Sequence, residues 1–124
     1  MGGAIDEPFF TRLRVLNERF ASGVPAVLDR LASARAGFDP AAPDQQLLEE
    51  LRAQLHTLAG SAITFGFRVL GQQARGLEQR LGVLTAFESV GAADWQAWLA
   101  GLDAFVTWAR HDPKAAYYIS GLNG

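Results

Sequence analysis

Apolar residues recur every three or four positions along most of this chain, and that period fixes the fold class. Leu48, Leu51, Leu55, Leu58, Ala62 and Phe65 form one stripe. Leu70, Ala74, Leu77, Leu81 and Leu84 form a second; Trp95, Trp98, Leu99, Leu102, Phe105, Val106 and Ala109 form a third. Another runs through Phe9, Leu13, Leu16, Phe20, Val24, Val27, Leu28 and Leu31. Such spacing turns one face of an α-helix toward a core, and no segment alternates for long enough to be a strand. Four amphipathic helices with short connections imply an all-α protein, an antiparallel four-helix bundle.

Boundaries follow from caps and breakers. Asp6 is a candidate N-cap, with Pro8 in the first turn. Gly23 and Pro25 interrupt the first stripe, but its phase survives, which predicts one kinked first helix rather than two. Gly37 is a stop, and residues 39–43 read as a loop. Asp44 can cap a second helix of about 22 residues, roughly 33 Å long. Gly66 breaks it, Glu88 to Ala93 reads as a loop, Asp94 caps the last helix and Pro113 ends it. The expectation is a single domain over residues 1–124, with the bundle at about 8–112. The tail, 113–124, carries no stripe and is left open between an ordered flap and a frayed end.

Composition narrows the function classes. At 124 residues, 49% hydrophobic and 19% charged, the chain is globular and long enough for a core. It has no cysteine, which excludes disulfides, thiolate metal sites and cysteine nucleophiles. Two histidines cannot make a histidine-rich metal cluster. A net charge of −2 gives no field that would gather nucleic acid or acidic lipid. No apolar run reaches the roughly 18–20 residues of a membrane span, and the N-terminus lacks a signal-peptide pattern. A cytoplasmic protein, expected as a monomer, with no nucleic-acid or membrane partner, is the reading.

One polar residue stands out by direction. At about 100° per residue, His56 lies about 130° from the centre of the Leu48–Phe65 stripe, so it faces solvent. Arg52, Ala59, Gly60 and Ile63 fall on the same general side. A glycine inside a helix costs roughly 1 kcal/mol against alanine. At Gly60, one turn beyond the histidine, that cost makes sense if another surface must come close to the imidazole. Ile63 and Ala59 would then be docking contacts. The next helix returns antiparallel: His56 is ten residues before Gly66 and Glu78 twelve after it, so the two stand at similar heights. The Glu78 carboxylate can hold one ring nitrogen and leave the other outward.

His56, Leu58, Gly60, Ser61, Ala62, Gly66, Leu70, Ala74, Leu77 and Glu78 together resemble the signature of histidine-containing phosphotransfer (HPt) domains. The first helix is similar too, with Phe20 five residues ahead of Pro25, then Leu28 and Leu31. The resemblance implies a phosphorelay intermediate of two-component signalling. His56 would be the phosphoacceptor, exchanging a phosphoryl group with a response-regulator receiver domain, a histidine kinase, or both. It implies a phosphocarrier rather than an enzyme, with no cofactor of its own; the acidic pocket and Mg²⁺ would belong to the receiver. Ala59 stands where the family often has a lysine that steadies the phosphate. Arg52, one turn before His56, or Arg75 on the next helix would have to supply that charge. Ser61 points to the side of the core, which suggests packing or helix bonding.

Other readings stay in view. The bundle could be an adaptor that docks on receivers without carrying phosphate, or a phosphoaccepting fragment of a larger histidine kinase. An enzyme using His56 as a general base lacks a second catalytic group and a pocket on a convex helix surface. His111 fits the negative end of a helix. Trp95, Trp98 and Trp108 read as packing, and Glu49, Glu50 and the spaced arginines as a solvated face.

Overall fold

The computed structural model describes residues 2–87 and 89–111, with side chains from Pro8 onward. Four helices follow one another: α1 (Gly2–Ala36), α2 (Gln45–Thr64), α3 (Arg68–Thr85) and α4 (Ala92–His111). No strand occurs among the described residues, and the all-α bundle is the fold. The core takes one stripe from each helix. Leu28, Leu31, Leu51, Leu55, Leu58, Leu70, Leu77, Leu81, Leu99 and Leu102 are fully buried. Trp95 and Trp98 are buried and Trp108 is half-buried, as packing residues should be. The Trp98 indole Nε1 donates to the Leu77 carbonyl at 3.0 Å, which pins α4 to α3 and satisfies a polar atom inside the core.

The caps explain where α2 sits. Asp44 adopts an extended backbone, and its carboxylate accepts from the Gln46 and Leu47 amides at 2.7 and 3.3 Å. At the other end the Gly66 amide donates to Ile63 at 3.2 Å and the Phe67 amide to Ala62 at 2.7 Å. That pair of bonds is a Schellman closure, and it requires the left-handed backbone that Gly66 supplies with φ 86°. Only Phe67 then separates Gly66 from α3, so α2 and α3 form a tight helical hairpin.

Three sequence expectations are corrected. First, α1 begins at Gly2, not at the Asp6–Pro8 pair, and runs on through Pro8; its passage through Pro25 as a single helix is as the surviving stripe predicts. Pro8 is exposed, and the single carbonyl it leaves without a helix bond can be met by water. Second, Phe9 and Leu16 are not core residues. With Phe10 and Val15 they are 42–58% exposed, because α1 has 35 residues and outruns its 18- to 20-residue neighbours. Third, α4 begins at Ala92, so Asp94 lies in its first turn rather than at its cap. Its carboxylate still favours the positive end of the helix. The tail from Pro113 lies outside the described residues.

Candidate functional site

His56 projects from the middle of α2, and Glu78 meets it from α3. The imidazole Nδ1 lies 2.8 Å from the Glu78 Oε2. The histidine side chain is 75% exposed, whereas Glu78 is 19% exposed. The carboxylate is therefore the fixed partner and the ring the presented one. An ionised carboxylate only accepts, so in the neutral imidazole Nδ1 carries the proton and Nε2 keeps its lone pair. That tautomer turns a neutral, nucleophilic nitrogen outward on a convex surface.

The hairpin seam sets this geometry. A side chain at Gly71 would lie 2.6 Å from Ile63 Cγ1 and 3.0 Å from the Ala59 carbonyl, so α3 approaches α2 as closely as a glycine allows. Gly71 is a residue the sequence alone does not single out. Its only signal is a glycine well inside a helix, an unfavourable choice unless a neighbour is close. Ala59 belongs to the same seam. It is 1% exposed, so it cannot be a docking contact beside His56. Its direction is only about 65° from the centre of the α2 stripe, on the flank that α3 covers.

Gly60 behaves in the opposite way. A Cβ there would meet nothing within 4 Å, and the residue is exposed. Nothing inside the molecule accounts for its lack of a side chain. Ile63, 40% exposed, borders the same surface. Thr64 turns its hydroxyl back to the Gly60 carbonyl at 2.9 Å and leaves the patch low. Arg52 and Arg75 are exposed, and neither enters an ion pair among the described residues. His111 closes the last turn of α4, away from this patch. Ser61 is half-buried and lines an open groove between α1 and α2 of about 310 Å³, with Arg19 and Arg30 at its rim. Those two arginines are not marked by any sequence motif.

The family model described as Hpt domain matches residues 15–109. The chain belongs to the Hpt domain family. That match contains all of α2 and α3, hence His56, Glu78, Gly60 and Gly71. No curated protein and no solved structure matches the chain. Membership assigns the domain to phosphotransfer in two-component signalling, as a phosphocarrier working with receiver domains and kinases rather than as a kinase. None of the described helices is long and apolar enough to cross a membrane.

Proposed function

We propose that His56 is the phosphoacceptor of a cytoplasmic, monomeric relay. The observation that carries this reading is the exposed imidazole whose Nδ1 is held by Glu78 at 2.8 Å. The Nε2 lone pair attacks the phosphorus of a receiver aspartyl-phosphate or a kinase phosphoryl donor. The N–P bond forms as the P–O or donor P–N bond breaks, and the leaving group takes the bonding pair. No proton has to move, because Nδ1–H stays bonded to Glu78. The ring becomes a cation beside a carboxylate, which stabilises the adduct electrostatically yet keeps imidazole a competent leaving group for return to a receiver aspartate. In-line positioning, and the Mg²⁺ of the transfer, belong to the receiver. The bundle brings no cofactor of its own.

Gly60 and Ile63 form the surface on which the receiver settles. Charge for the phosphoryl oxygens comes from an arginine, since Ala59 is buried. Arg75 is the stronger choice: counting back from the His56–Glu78 bond along the antiparallel pair sets it level with position 59. Arg52, one turn before His56 on its own helix, is the second.

The test is incubation with phosphorylated receiver domains. Acid-labile label should enter the wild type and be absent from His56→Gln, with helical circular dichroism unchanged in the variant. Persistent label on His56→Gln would sink the assignment. Glu78→Ala should slow uptake more than Glu78→Gln, whose amide oxygen can still accept from Nδ1. The adaptor reading, motivated by the absence of a lysine at Ala59, predicts that His56→Gln leaves receiver binding and signalling intact.

A further inference from the structure

The groove between α1 and α2 holds two cations that the bundle does not use. Arg19 and Arg30 are exposed at its rim, and neither enters an ion pair among the described residues. They are eleven residues apart on α1, which is three turns: about 16 Å along the helix and only about 20° around it. Between them the floor is apolar, made by Phe20, Val24 and Val27 of α1 and Leu58 of α2. No carboxylate lines this groove of about 310 Å³ among the described residues. Such a surface fits an apolar projection flanked by carboxylates.

Gly23 adds a second observation. It is exposed, it lines the groove, and a Cβ there would meet nothing within 4 Å. A glycine inside a helix is unfavourable, and Pro25 does not call for this one, since its ring crowds the Ala21 carbonyl. Gly60 has the same property on α2. Phe20 stacks on Phe65 with ring centroids 5.5 Å apart, and α1 and α2 run in opposite directions, so Gly23 stands at the height of Ala62. That is two residues, about 3 Å, from Gly60. Thr57 joins the two glycines. It lines the groove, follows His56 directly and points about 60° from Gly60 around α2. The low patch beside His56 therefore continues across α2 onto α1.

We propose that the receiver domain covers this groove while it exchanges a phosphoryl group with His56, and that Arg19 and Arg30 are specificity-determining residues. They select receivers that present carboxylates on either side of an apolar contact. The inference rests on the assignment of His56 as phosphoacceptor. The receiver is the occupant because the groove opens beside the imidazole that it must reach.

The test measures transfer from a panel of phosphorylated receiver domains over a range of receiver concentrations. In the full chain carrying Arg19→Glu and Arg30→Glu, KM for the receiver that labels the wild type best should rise about tenfold or more, with a smaller change in kcat. Arg80 is exposed in the groove between α3 and α4, so Arg80→Glu controls for net charge and should move KM by less than about twofold. Added sodium chloride should raise KM more for the wild type than for the double variant. Gly23→Leu keeps both arginines, fills open space in the groove and should also raise KM. An unchanged KM in the double variant, or an equal rise with Arg80→Glu, overturns the proposal. So does a double variant that loses exchange with a kinase but with no receiver, which gives the groove to the kinase. Phosphoramidate, a donor with no protein surface, separates the two readings. Label on the wild type and none on His56→Gln upholds the phosphoacceptor whatever the groove does; equal label on both sinks the phosphoacceptor instead.

Discussion

Two glycines of the hairpin show how differently its two surfaces are built. At Gly71, on the seam, a side chain would press into Ile63 and the Ala59 backbone; at Gly60, on the open face, it would touch nothing. The first glycine is required by a contact inside the molecule. The second is unexplained inside the molecule, and so points to something outside it. The seam fixes where Glu78 stands relative to His56, while the face is kept low for a visitor.

That contrast can be broken by changing the same residue type on both sides. Gly71→Ala should give the larger effect. Overpacking costs about 1–3 kcal/mol, offset by a helix-propensity gain of roughly 1, so a net loss of up to about 2 kcal/mol is expected in urea unfolding. Receiver transfer should slow as well, because Glu78 shifts with its helix. Gly60→Ala should do the reverse to stability, raising it by about 1 kcal/mol, while weakening receiver docking. A loss of stability at Gly60, or a gain at Gly71, would erase the distinction between seam and face. The smallest effect is expected far from both, at the exposed ion pair of Arg35 with Asp103, 3.1 Å apart. Asp103→Ala should cost about 0–1 kcal/mol and leave transfer unchanged, which makes it the reference for a change that touches neither surface.

Much of the hairpin was legible in the sequence. Period and cap residues place α2 and its Schellman end, and angle plus height place Glu78 against His56. These are local quantities, set by 3.6 residues per turn and by a three-residue connection. Ala59 was misplaced because α2 has neighbours on two flanks, α1 and α3, so its buried sector reaches past the leucine stripe. The stripe through Phe9 and Leu16 misled for a different reason. Period reports which way a residue faces, not whether a partner helix reaches that height. Gly71 and the indole bond of Trp98 depend on distances between helices, which no single stripe encodes.

The Gly66 closure has a consequence for how such a chain can change length. A residue gained or lost there must be looped out, or it slides α3 by about 1.5 Å and turns it by about 100°. Either motion takes the Glu78 carboxylate off the imidazole. The connections from α1 to α2 and from α3 to α4 carry no such constraint, since neither spans the two halves of the site. Of the three connections, only the shortest is a ruler. Insertions should therefore be tolerated at residues 39–43 and 86–91 and rejected at 65–67.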